Sequence, residues 1–163
     1  MRILDAESHL GYGVVADAGG LIVCPRFLVA PYRKVQVRFD DGRTLEGTVG
    51  ATDHRYGLTL VQVPEKGLAV PEFAPPDSIQ VGTTVVSVGS HRRVLGVGFL
   101  GSIGREIQKE KTRRLLELLV GFDVTTLSPP ADLADVLQHD TPLALGDLGS
   151  PLVDVQGRLV GIN

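Results

Sequence analysis

Short runs of alternating apolar and polar residues recur along this chain, each closed by a glycine or proline turn. Val35-Gln36-Val37-Arg38-Phe39 has period two, which sets the valines on one face of a strand and Gln36 and Arg38 on the other. Asp40-Asp41-Gly42-Arg43 is a turn sequence, and Thr44 to Val49 alternates again, so the two runs predict a hairpin. Gly11 to Ala16, Leu21 to Cys24 and Leu58 to Val63 predict three more strands. The first two are joined by Asp17-Ala18-Gly19-Gly20, where glycine supplies the positive φ of a hairpin turn. Residues 64–76 carry Pro64, Pro71, Pro75 and Pro76 and read as a connector between two lobes. The pattern then restarts. Thr83 to Val88 and Gly96 to Ile103 predict strands, and Pro151 to Asp154 with Arg158 to Asn163 predicts a closing hairpin about Val155-Gln156-Gly157. Between them, Arg105 to Leu137 fits more than one type. Charges cluster early, Leu115, Leu116, Leu118 and Leu119 come late, Pro129-Pro130 breaks the run, and Ala131 to Gln138 suits helix or strand. No short-period repeat is present. Two small antiparallel barrels, alike in kind but not in sequence, fit this pattern.

Composition agrees with an all-β reading. The 163 residues include 20 Gly and 10 Pro, with valine filling the runs between them. At 43% hydrophobic and 21% charged the chain is too apolar for disorder. The formal net charge of −3 argues against nucleic-acid binding, which usually shows a basic excess. Aromatic residues make up 5% and tryptophan is absent, which weakens a stacking platform for bases or sugars. No apolar run approaches the roughly 20 residues that span a bilayer. Met1-Arg2-Ile3-Leu4-Asp5 has no apolar stretch after its charge, so no signal peptide is visible. A single cysteine, Cys24, excludes an internal disulfide.

The C-terminal segment carries the most specific signal. Gly146-Asp147-Leu148-Gly149-Ser150-Pro151-Leu152-Val153, followed by Gly157-Arg158-Leu159-Val160-Gly161-Ile162-Asn163, resembles the nucleophile loop and following strand of trypsin-like serine proteases, and of their HtrA branch in particular. Gly11-Tyr12-Gly13-Val14-Val15 with Gly20-Leu21-Ile22-Val23 resembles that branch's opening hairpin. Phe39 to Arg43, Thr52-Asp53, Leu58 to Val61, Val81-Gly82, Val88-Gly89-Ser90 and Gly101 to Arg105 match further landmarks in order. The resemblance spans nearly the whole chain. It implies two six-stranded-type β-barrels of trypsin-like (chymotrypsin-like) fold, one of about residues 1–75 and one of about 76–163, forming a single domain that a PDZ domain follows in many relatives.

In that family a serine attacks, a histidine takes its proton and an aspartate holds the histidine's tautomer. Carried over position by position, the histidine falls on Phe27, the aspartate on Gly57 and the serine on Leu148. Phenylalanine has no basic nitrogen, glycine no carboxylate and leucine no nucleophile. No Ser, Thr or Cys flanks Leu148 directly, and no His lies between Leu21 and Tyr32. The resemblance therefore implies a pseudoprotease with no catalytic residues, its vestigial oxyanion loop formed by Gly146, Asp147 and Gly149. Phe27 and Leu148 are expected to meet across the former centre.

Other candidates read as structural. Ser150 lies two residues beyond the nucleophile position and is expected to be a surface or strand-edge serine. Asp147 is expected to scaffold its loop, exposed or paired with backbone N–H groups or an arginine. Cys24 reads as a buried small hydrophobe. His9, His54, His91 and His139 form no local ligand spacing, so neither a metal nor another cofactor is expected. His91-Arg92-Arg93 and the mixed charges of 105–114 read as solvated faces, with a partner-binding loop as the alternative.

The function expected is protein or peptide binding, scaffolding or regulation without hydrolysis. The competing readings are a serine endopeptidase with displaced catalytic groups and a metal-binding accessory domain. The resemblance further implies a homo-oligomer, such as a trimer, and a periplasmic or cell-envelope setting.

Overall fold

In the computed structural model the described residues are 1–5, 8–107 and 133–163. They form twelve strands and one short helix. The first half contributes β1 (Arg2–Asp5), β2 (Ser8–Tyr12), β3 (Val14–Asp17), β4 (Leu21–Pro25), α1 (Arg26–Val29), β5 (Lys34–Arg38), β6 (Thr44–Asp53) and β7 (Leu58–Gln62). The second contributes β8 (Thr84–Val88), β9 (Val94–Ile107), β10 (Leu133–His139), β11 (Pro151–Val153) and β12 (Leu159–Ile162).

The first sheet runs β2-β1-β5-β6-β7-β4-β3. Its two outermost strands, β2 and β3, are separated in the chain by Gly13 alone. The sheet therefore curls until its ends are one continuous segment, and counting β2–β3 as a single bent strand gives six around the barrel. A side chain at Gly13 would press on Ile22 and Ile3 in the core. The predicted β5–β6 hairpin forms, with Val37 opposite Leu45. Its turn closes through Phe39 N–H to the Arg43 carbonyl at 2.8 Å. Val35 and Val37 point inward to join Ile3, Ile22, Cys24, Val29, Val61 and Val63 in the first core. This is the face that alternation assigns them.

The second sheet runs β10-β9-β8-β11-β12, with a smaller core of Val85, Leu100 and Leu152. Among the described residues it has five strands. The described residues place no strand between β10 and β12, and the Leu137 side chain of β10 instead reaches toward Gly161 of β12. Residues 63–83 run between β7 and β8, and a parallel bridge joins Phe73 to Leu159. At the ends of the region 105–137, β9 continues to Ile107 and Leu133–His139 is strand. The leucine cluster and Pro129-Pro130 lie outside the described residues.

Candidate functional site

Pro25 ends β4, and the next four residues turn once as α1, closed by Ala30 N–H to the Arg26 carbonyl at 2.9 Å. That turn carries Phe27. The Arg26 N–H also donates to the Gly57 carbonyl at 2.7 Å, which fastens the loop carrying Gly57 to the turn carrying Phe27. Phe27 is half-buried and packs on the first core, and so does Leu148, which arrives from the other half of the chain. The fold thus gathers the two positions on one apolar cluster that includes Cys24 and Leu28.

Leu148 is set by a tight 3-10 turn over Leu145–Asp147. Its own N–H turns back toward the Leu145 carbonyl at 3.4 Å, and its carbonyl accepts the Tyr12 N–H at 2.8 Å. Gly149 follows with φ +81°, where an added Cβ would overlap the Tyr12 carbonyl oxygen and meet Pro25 Cδ at 2.9 Å. Only glycine suits this conformation and this close approach.

Asp147 is half-buried and spends its carboxylate inside the loop. Its Oδ2 accepts the Ala144 N–H at 2.9 Å, while its carbonyl accepts the Ser150 N–H at 3.1 Å. It is loop scaffolding, as the sequence indicates. Ser150 departs from expectation. It is fully buried rather than at the surface, because β11 and β12 close over it. Asn163 Nδ2 donates to Ser150 Oγ at 2.9 Å and also to Ser87 Oγ at 2.9 Å. Cys24 is fully buried, with its Sγ 3.7 Å from the Thr59 carbonyl, and burial pushes its thiol pKa up to about 12.

The histidines scatter, with one informative exception. His9 on β2 lies against the loop 146–149: its Nε2 donates to the Gly146 carbonyl at 2.7 Å, and its ring meets Tyr12 edge-on at 5.0 Å. The sequence carries no signal for this contact, since 137 positions separate the partners. His54 is exposed in the β6–β7 turn and His91 sits at φ 55° in an exposed loop. His139 Nδ1 accepts the Thr141 N–H at 3.2 Å. Among the described residues no three His, Cys, Asp or Glu side chains stand together as a metal site.

A model described as the trypsin-like peptidase domain matches residues 11–162. The chain belongs to the trypsin-like peptidase family. Its relatives are of the HtrA type. A probable periplasmic serine endoprotease described as DegP-like, from Ectopseudomonas mendocina, is 29% identical over 162 residues, covering 99% of this chain and 30% of that protein. A putative serine protease HhoA of Synechocystis is 27% identical over 158 residues, covering 94% of this chain and 36% of its own length. The chain thus spans about a third of the length of these relatives. Among solved structures, an HtrA-type protease AlgW with a decapeptide superposes with a TM-score of 0.73 at 23% identity, covering 96% of this chain and 43% of that one. Deg5 superposes at 0.66 with 20% identity, covering 94% and 72%. These likenesses establish the trypsin-like fold. No helix among the described residues is long and apolar enough to cross a membrane.

Proposed function

We propose that this trypsin-like domain is a pseudoprotease that binds an extended peptide or protein segment and does not cleave it, serving as a scaffold or regulator. One observation carries the reading. The resemblance assigns base, orienting carboxylate and nucleophile to Phe27, Gly57 and Leu148, and Phe27 and Leu148 both pack on an apolar core. Loss of a whole triad removes on the order of a million-fold in turnover. The amide geometry supports the same reading. Oxyanion stabilisation needs N–H groups aimed at the reacting oxygen, whereas the Leu148 N–H turns back into its own loop.

The competing endopeptidase needs a displaced nucleophile. Ser150 and Cys24 are the nearby hydroxyl and thiol, and both are fully buried. A peptide ligand suits a family in which an HtrA-type neighbour is solved with a decapeptide. The homo-oligomer implied by the resemblance belongs to the same proposal.

The test pairs two measurements on purified protein: hydrolysis of an unfolded protein substrate, and retention of peptides from an immobilised library. Retention with hydrolysis at the buffer level is the expected result. Hydrolysis above buffer that a serine-directed probe abolishes would overturn the proposal.

A further inference from the structure

We infer that the turn joining β8 to β9 is a contact for an acidic segment of a partner protein, grasped by Arg92 and Arg93 with His91 beside them. This surface is separate from the loop 146–149, and its role holds whether or not the domain cleaves peptides.

The other described hairpin turns that hold an arginine engage it and relax through glycine. In the β5–β6 turn Gly42 takes the left-handed position at φ +90°, and Arg43 pairs with Asp41 at 2.7 Å and Glu65 at 3.0 Å. In the β6–β7 turn Gly57 does so at φ +66°, and Arg55 lies over the Tyr56 ring at 5.5 Å. In the β11–β12 turn Gly157 does so at φ +82°, and Arg158 pairs with Asp154 at 2.8 Å. Ser90-His91-Arg92-Arg93 has neither device. His91 and Arg92 both have φ 55°, and the Arg93 N–H closes the turn on the Ser90 carbonyl at 3.2 Å. Two left-handed central residues make a type I′ turn, for which Asn-Gly is the relaxed sequence. Among the described residues, Asp135 is the one other non-glycine residue with positive φ. Among them also, Arg92 and Arg93 have no carboxylate within ion-pair distance.

His91, Arg92 and Arg93 are all exposed. The turn is internal to the chain, and the residues on both sides of it are described. Its base is fixed. Val88 pairs with Val94 in the β8–β9 ladder, and the Gly89 N–H donates to the Arg93 carbonyl at 2.8 Å. A Cβ on Gly89 would stand 3.1 Å from the buried Tyr12 hydroxyl, so the turn rests on β2. The side chains are thus presented on an ordered backbone, which lowers the entropy cost of binding.

A strained backbone kept where glycine would fit marks a position whose side chains are used. Guanidinium forks match carboxylates with paired hydrogen bonds. Two adjacent arginines without counter-ions repel each other, and a segment with closely spaced carboxylates relieves that repulsion. A phosphate backbone calls instead for a basic excess spread along a face, whereas this chain carries a formal charge of −3. The chemistry that fits is an acidic polypeptide.

The probe is a capped octapeptide alternating glutamate and serine, labelled with an uncharged fluorophore, and its control carries glutamine for glutamate. Anisotropy at low salt should show saturable binding of the acidic peptide alone, weakening as salt rises. Arg92→Glu with Arg93→Glu should weaken binding about tenfold or more. His91→Asn with Arg92→Gly installs the relaxed turn sequence. It should also weaken binding, while raising the thermal midpoint by roughly 3 °C. Wild-type affinity in either folded variant, or equal binding of the two peptides, overturns the inference. So does a midpoint that fails to rise, since the turn would then hold no strain to explain. Duplex DNA or phosphatidylserine vesicles that displace the peptide at lower charge concentration would assign the turn to phosphate and overturn the acidic partner. A concentration-dependent dimer that the arginine variants abolish would make a second copy the occupant, with the same consequence. The hydrolysis and library measurements that test the pseudoprotease proposal are independent of all these outcomes.

Discussion

Asn163 holds Ser150 at two points: its Nδ2 donates to the serine Oγ at 2.9 Å and to the serine carbonyl at 3.1 Å. The Asn163 main-chain N–H donates to the same carbonyl at 3.0 Å. The hydroxyl nearest in sequence to Leu148 is thus a buried acceptor within the β11–β12 closure. Serine-directed phosphonylating probes should leave the folded protein unmodified, as mass spectrometry would read. Ser150→Ala should lower stability by about 1 kcal/mol through the lost hydrogen bond. A phosphonyl adduct mapped to Ser150 in the folded state would contradict this arrangement.

The Cys24 thiol, with its pKa near 12, is protonated at neutral pH and shielded from solvent. Since the thiolate is the reactive form, iodoacetamide should modify Cys24 only after the first barrel opens. Modification should track unfolding in a urea series. Rapid alkylation of native protein would show that the barrel opens locally at this strand.

Gly149→Ala should destabilise the fold by about 3 kcal/mol, since a left-handed backbone is costly for a residue with a Cβ and the methyl overpacks a closed site. The methyl would collide with the Tyr12 carbonyl, which belongs to the residue whose N–H holds Leu148. The expected observation is a clear fall in the denaturation midpoint with an unchanged m-value. A neutral substitution would mean that this loop moves freely off β2.

The strands were legible in the sequence wherever one face was buried, because alternation then repeats the sheet's own period, as in Val35 to Arg38 opposite Leu45. Elements that break the period were not. α1 is a single turn of Arg26-Phe27-Leu28-Val29 held by tertiary contacts, too short to show helical spacing. β10 shifts register between Leu133 and Val136 and again before Gln138, with Asp135 at φ 53°, so its pattern suits either type. β1 and the start of β2 mix polarity and pair with β5 and with each other across the barrel, a long-range match that local sequence does not encode. At the site, the packing of Phe27 and Leu148 on one core could be expected from the family landmarks, but His9 against Gly146 and the burial of Ser150 arise from folding alone.

Asp154 ties the β11–β12 hairpin to pH. Burial works to raise its carboxyl pKa, but the Arg158 backbone N–H, the Arg158 guanidinium at 2.8 Å and the Gln156 N–H outweigh it and hold the group below its ordinary value of 3.8. A carboxyl whose folded pKa lies below its unfolded one contributes stability above the unfolded value and loses it as pH falls through the folded value. The thermal midpoint should therefore be flat in this respect above about pH 5 and decline below pH 3.8, and Asp154→Asn should flatten the decline. An Asp154→Asn profile that falls as steeply as the wild type would assign the acid loss to other carboxylates.

Restoring the three family side chains should not restore hydrolysis. Phe27→His, Gly57→Asp and Leu148→Ser together would supply the base, carboxylate and hydroxyl of the family mechanism. Their setting remains that of an apolar cluster. Gly57 has φ +66°, a left-handed backbone that glycine adopts more readily than aspartate. The Leu148 N–H still turns toward Leu145, and Asp147 still spends its carboxylate on Ala144. Ser150 stands where the family has glycine and is locked by Asn163, which resists the loop shift that would free oxyanion donors. The triple variant should fold and show turnover of an unfolded substrate within a few-fold of buffer, by discontinuous peptide mass spectrometry. Robust cleavage sensitive to a phosphonylating probe would show that the loop reorganises readily around the three restored side chains.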